Sequence, residues 1–380
     1  MTRRIDALDV LRGVAIMGTL GTNIWLFTAP EGPLGFLRPE TGAVETFLRF
    51  LANGKFLGLL TLLFGVGLEL QYRSAARRGT PWPGRYLWRA ALLFCEGVLH
   101  YVLVFEFDVL MGYALTSMVV AYLIGRSERA VTAWMVAAGA VHLAIVALVT
   151  AALALAPPVS GGVPPRDWLG QVRMRLDNVA VFRAELVIIV PMGIVLFLLG
   201  ARLMRAGAFE ERGAALRVRL MAVGLGLGVP LNLATSYAGP SWFMVDRYVA
   251  APLVALGLLA LVTHVALGMK GAPGVIRRGL TGVGRTALSC YVFQNLAASV
   301  LCYDWGLGLA GRLDGLRPWW VPAAWAVICL SFMVLASWWL RRFDRGAAGA
   351  GLAVGVSGAV AGAGARSRVK PGVDGVFPSA

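Results

Sequence analysis

The chain of 380 residues is 58% hydrophobic and only 14% charged, which excludes an ordinary soluble domain, where about a quarter of residues carry charge. Apolar runs close to the roughly 20 residues needed to cross a bilayer recur along nearly the whole length, so lipid is the expected solvent. The net charge of +15 sits in short segments between those runs, where it faces lipid headgroups, and this distribution argues against a nucleic-acid partner.

Apolar windows predict ten transmembrane helices, in chain order over 8–27, 56–72, 87–106, 109–125, 130–156, 184–206, 214–236, 243–268, 281–303 and 319–340. The expected fold class is all-α, a polytopic transmembrane bundle of about ten helices. Arg3 and Arg4 precede the first run as in a secretory signal, but Asp9 and Arg12 interrupt it and no small-residue cleavage site follows. It is expected to remain as the first helix. Only Glu106 and Asp108 separate the third helix from the fourth, which predicts a tight hairpin at the membrane surface.

The expected organisation is an N-terminal transmembrane half, 1–156, an extracytoplasmic loop, 157–183, a C-terminal transmembrane half, 184–345, and a Gly/Ala-rich disordered tail, 346–380. Apolar positions at helical spacing between Asp167 and Phe182 leave two readings of the loop, an interfacial helix or a plain tether. Counted on alternate sides, Lys and Arg fall 24 on one side and 10 on the other, with Arg12 inside the first helix. Cationic segments are retained in the cytoplasm, so both termini are expected there, in a bacterial inner membrane. Cys95, Cys290, Cys302 and Cys329 lie in apolar runs without paired spacing and read as buried hydrophobes, with no metal site.

Ionisable groups inside a bilayer are costly and face a polar cavity or a partner. In the first helix Arg12 and Asn23 are three turns apart, so with Asp9 and Thr19 they form a polar column; pairing of Asp9 with Arg12 near the surface is the structural alternative. In the third, Arg89, Glu96 and His100 share a face. His100 is the expected proton-transfer residue, with Glu96 one turn away fixing its tautomer, against a purely structural hydrogen bond as the alternative. His142 and His264 stand alone in apolar stretches and read as packing or interfacial residues. Asp108 follows at the outer end of the hairpin, and Asn232, Asp246, Arg247, Gln294 and Asn295 add polar groups further on. Glycine-rich phosphate loops and His-Glu-x-x-His zinc motifs are absent from the sequence.

The run from Arg4-Ile5-Asp6 through Asp9-Val10-Leu11-Arg12-Gly13, then Asn23, Gly54-Lys55-Phe56, Leu62-Leu63-Phe64-Gly65, Gly97-Val98-Leu99-His100 and Asp108-Val109-Leu110, resembles the YeiB-like family carrying the domain of unknown function 418. The C-terminal segment of that family is similar to Gly284-Arg285-Thr286-Ala287-Leu288-Ser289-Cys290-Tyr291 with Gln294, Tyr303, Gly306-Leu307-Gly308-Leu309 and Arg341-Arg342-Phe343. The resemblance spans about 4–346, after which the Gly/Ala-rich tail departs from the family pattern. The first helix is also similar to that of the membrane acyltransferase superfamily, some of whose members carry an Arg, ten residues and a His. Here the spacing is kept by Arg12 and Asn23, and an amide is no base.

What the resemblance implies is an acyltransferase-like bundle taking acyl-CoA as donor and a cell-envelope or small-molecule acceptor among membrane lipids. Arg12 would bind the donor, His100 would act as base oriented by Glu96, and Asn23, Asp108 and Arg285 would line the site. The rival expectation is a transporter whose polar columns line a substrate path.

Overall fold

A computed structural model of the chain describes residues 2–29, 42–155 and 165–343, with side chains from Asp6 onward. The Pro-rich start of the long connection and the Gly/Ala-rich stretch from Gly346 lie outside these residues. Among the described residues every regular element is helical.

Helix α1, Thr2–Phe27, is the central post: 83% of its apolar window is buried, against 17% for an outer helix of the same bundle. A short amphipathic helix α2, Ala43–Phe50, leads into α3, Lys55–Arg77, through Gly54. Gly54 adopts a left-handed φ of 71°, and a side chain there would strike the Arg247 carbonyl. Lys55 donates to the Phe50 carbonyl and lies over the Phe50 ring, closing the end of α2.

Helices α4, Arg85–Leu103, and α5, Leu110–Leu123, form the expected hairpin. It is not open at the surface, because Glu106 and Asp108 are both buried at its turn. The cover comes from the long connection, where α7, Trp168–Asp177, and α8, Val179–Arg183, follow the lipid-facing α6, Glu128–Leu155. Asp167 accepts from the Gly170 amide at 2.7 Å and starts α7. Arg175 then pins it: its Nε lies 3.2 Å from Glu106, and its terminal nitrogens donate to the Val102 and Val104 carbonyls, both at 3.1 Å. Two carbonyls at the end of α4 are thus satisfied by a side chain from the cap. Of the two readings of this connection, the helical one describes the residues from Trp168 on.

The second half continues with α9, Leu186–Arg205, and a mostly lipid-facing helix built from α10, Ala214–Met221, a π-helical stretch Ala222–Leu227, and α11, Gly228–Tyr237. Next come α12, Phe243–Val245, a second π-helical stretch, Asp246–Ala250, and α13, Ala251–Gly268. Pro252 has no N–H to offer the Tyr248 carbonyl four residues back, and the wide turn sits at that point. The expected single helix 281–303 is two: α14, Val275–Arg285, starts earlier, and α15, Ala287–Cys302, follows a break at Thr286. The short α16, Leu309–Arg312, and the peripheral α17, Trp320–Trp339, complete the bundle. Helix α14 crosses α1 in close contact, since side chains at Gly13 and Gly284 would strike the Leu280 and Asp9 carbonyls.

Among the described residues the ten expected apolar segments are therefore helical, and seven stretches have the length and apolarity to cross a membrane. Helices α5 and α15 are apolar but shorter, and α4 carries Arg85, Arg89 and Glu96. The protein is an all-helical integral membrane protein.

Candidate functional site

The α4–α5 hairpin returns the chain so that Asp108 meets His100. His100 Nδ1 lies 2.9 Å from Asp108 Oδ1, and both side chains are almost fully buried. Asp108 Oδ2 accepts from the Leu110 amide at 2.9 Å and the Met111 amide at 3.3 Å, so the carboxylate also starts α5. Tyr291 of α15 donates to Asp108 Oδ1 at 3.4 Å, with its ring centroid 5.3 Å from that of His100. On the other ring nitrogen, Asn295 Nδ2 approaches His100 Nε2 at 3.3 Å, and Asn23 Nδ2 of α1 donates to Asn295 Oδ1 at 3.2 Å.

With the amides turned this way the donors point in one direction: Asn23 to Asn295, Asn295 to His100, His100 to Asp108. His100 is then the neutral tautomer with its proton on Nδ1 and its lone pair on Nε2. Gly97 makes the arrangement sterically feasible, because a Cβ there would lie 2.7 Å from the Met111 amide nitrogen and 3.0 Å from Asp108 Oδ2. The cap seals the opposite side. Arg183 of α8 donates to the carbonyls of Asp108, at 3.0 Å, and Glu106, and stacks 4.1 Å over the Tyr101 ring.

Towards the other end of the bundle lies a cavity of about 320 Å³ whose wall includes Arg12, Arg89, Arg285, Gln71, Tyr86 and Tyr291. Its arginines come from three helices, α1, α4 and α14. Arg12 holds Asp9 at 2.9 Å and keeps a third of its side chain exposed. Tyr291 belongs to both features, since it lines the cavity while its hydroxyl reaches Asp108. His100 and Asp108 lie behind it.

The structure thus brings together His100, Asp108 and Asn23, and places Arg12 and Arg285 on one cavity. It does not bond Glu96 to His100. Glu96 is half-buried one turn below, and the carboxylate on Nδ1 belongs to Asp108. Helical spacing brings Glu96 near, but the turn after α4 carries Asp108 into line with the ring. Thr19 of the expected polar column is satisfied by the Ala15 carbonyl at 2.7 Å and takes no part. Tyr291 and the cap residues Arg175 and Arg183 were not legible from spacing, although an arginine between apolar helical positions was a usable signal for the last two.

A second buried polar cluster joins the turn before α3, α11 and the π-helical stretch ahead of α13. Asp246 accepts from Asn232 at 2.6 Å, Ser236 at 2.7 Å and Asn53 at 2.7 Å, while Arg247 donates to Asn53 Oδ1 at 2.9 Å. His142 belongs to it as a bridge rather than a packing residue, its ring nitrogens lying 3.3 Å from the Ile188 carbonyl and 3.0 Å from that of Tyr248. These contacts set α6 against α9 and the wide turn ahead of Pro252, the neutral ring donating to one of the two carbonyls.

A polytopic helical membrane protein with a buried, fully hydrogen-bonded His–Asp pair behind an arginine-walled cavity is the class these features define. Residues 203–347 match the family described as protein of unknown function (DUF418). The uncharacterized protein YxaH of Bacillus subtilis (strain 168) is 25% identical over 390 aligned residues, covering 90% of this chain and 92% of that protein. The uncharacterized protein YeiB of Escherichia coli (strain K12) is 26% identical over 372, covering 89% and 92%. An uncharacterized 39.9 kDa protein of Bacillus acidopullulyticus is 31% identical over 102 residues, 27% of this chain and 29% of that one. The chain is thus similar to YeiB and YxaH along about nine-tenths of its length, and its C-terminal part matches the DUF418 family.

Proposed function

We propose that the protein is a membrane-embedded enzyme that transfers an acyl group from acyl-CoA to a cell-envelope or small-molecule acceptor. The observation carrying this reading is the junction at Tyr291 of an arginine-walled cavity with a buried His–Asp pair. Guanidinium groups suit the phosphate and pyrophosphate oxygens of such a donor, which they bind through paired hydrogen bonds. The arginine-rich end is assigned to the cytoplasm of a bacterial inner membrane, where the donor is found.

In the reaction, an acceptor hydroxyl replaces the Asn295 amide on His100 Nε2 and gives up its proton there. Its oxygen attacks the thioester carbonyl, the C–S bond breaks, and the imidazolium returns the proton to the departing thiolate. Asp108 holds the ring and stabilises its charged form, while Asn23 positions Asn295. The kept spacing of Arg12 and Asn23 supports kinship with membrane acyltransferases. Asn in place of their His leaves the base to His100.

The test is thiol release from acyl-CoA by the purified protein with membrane lipid present. Wild type is expected to release thiol, and His100→Gln to do so about a hundredfold more slowly or worse. An unchanged rate in the variant contradicts the assignment. One observation favours a transporter instead: His100 and Asp108 lie behind Tyr291 rather than on the cavity wall, as in a gated proton relay.

A further inference from the structure

A groove of about 950 Å³ runs between α14 and α17 and opens on the same end of the bundle as the arginine cavity. Its α17 wall is an apolar stripe at i, i+4 and i+8, formed by Leu330, Val334 and Trp338, which are 61%, 68% and 50% exposed. The stripe ends in Arg341. Facing it, α14 contributes Arg277, held 3.9 Å from Asp6, and Arg278. The guanidinium groups of Arg278 and Arg341 have no ion-pair partner among the described residues. Apolar side chains rising to a tryptophan and then to unpaired arginines reproduce the order of an acyl chain, an interface and a headgroup phosphate. The segment after Phe343 is a poor occupant, because it carries four basic and two acidic residues and has the sign of the groove itself.

We propose that this groove binds a membrane lipid with an anionic phosphate headgroup, its acyl chain along Leu330 and Val334 and its phosphate at Arg278 and Arg341. Arg285 lines both the groove and the cavity behind which His100 lies, so a lipid seated here presents its headgroup to the candidate site. That this lipid is the acyl acceptor rests on the acyl-transfer reading; that it binds does not.

The experiment uses the full chain in vesicles of phosphatidylcholine and phosphatidylglycerol with a trace of phosphatidylglycerol bearing a photoreactive acyl chain. Cross-linked peptides are then located by mass spectrometry. Labelling is expected to concentrate on α17 and to fall about twenty-fivefold in the Arg278→Ala, Arg341→Ala double variant, two charges at roughly fivefold each. It should survive Arg278→Lys with Arg341→Lys, which keeps the charge. It should also survive Arg126→Ala with Arg129→Ala, which removes two cations from another face. Labelling spread equally over the lipid-facing sides of α6 and α17, or lost equally in the Arg126, Arg129 variant, overturns the proposal. So does its abolition by inorganic phosphate but not by chloride of equal ionic strength, which would mark a free-phosphate site. Thiol release is scored separately: labelling without release sinks the acyl-transfer reading alone, and release without labelling sinks the lipid site alone.

Discussion

Asp108 receives four donors, one each from His100 and Tyr291 and two from the start of α5, so it serves the imidazole and the backbone together. Replacing it with Asn keeps the shape, removes the charge and sets an amide against a donor. Taking one partner from a buried charge-assisted pair costs about 3 kcal/mol. Denaturant unfolding in detergent should show Asp108→Asn destabilised by about that amount, whereas Glu96→Gln, which removes no hydrogen bond to His100, should stay close to wild type. Equal losses would mean that the carboxylates share the role. His100 was legible in the sequence because the chain has only three histidines and this one shares a helical face with charged residues. Its partner was misassigned because i, i+4 spacing describes one helix, and the true partner lies eight residues on, across a turn whose path periodicity cannot give.

At the scale of elements, the cap formed by α7 and α8 decides whether the hairpin turn is dry. Arg175 is 1% exposed and satisfies Glu106 together with two carbonyls left open by the end of α4. Arg175→Met keeps the bulk but leaves Glu106 buried and uncompensated, at a cost of about 3–5 kcal/mol. Brief trypsin digestion should cut the variant within 166–183 well before any other segment, while wild type resists there. Equal resistance of the two proteins would show that Arg175 does not hold the cap. The helical spacing of 167–182 suggested this element, but not its docking, which depends on the unpaired backbone of a helix distant in sequence. The break at Thr286 was hidden for a similar reason: apolar residues run through it, and the packing of Gly284 against α1 fixes α14 separately from α15.

Over the whole molecule, burial ranks the helices by their distance from the centre. Helix α1 is enclosed, while α6 and the helix ending at Tyr237 each bury only 17% of their apolar windows and form the lipid-facing shell. Asp6 near the start of α1 and Arg341 after α17 line one groove, so both ends of the helical array lie on one face. Reporter fusions at the N-terminus and after Phe343 should both report the cytoplasm, and opposite locations would break the topology. The all-helical membrane fold was legible throughout, because apolar run length is a direct signal of the bilayer. The convergence of α1, α4 and α15 on His100 was not, since Asn23, His100 and Asn295 are joined only by tertiary packing.

The most direct test of the central claim is free-thiol release from acyl-CoA by the purified protein in lipid vesicles, measured for wild type, His100→Gln and Arg12→Ala. The account predicts release by wild type, a loss of about a hundredfold or more in His100→Gln, and weaker saturation by donor in Arg12→Ala. Proton-coupled solute flux with no thiol released by any of the three would contradict it and make the His100–Asp108 pair part of a transport path.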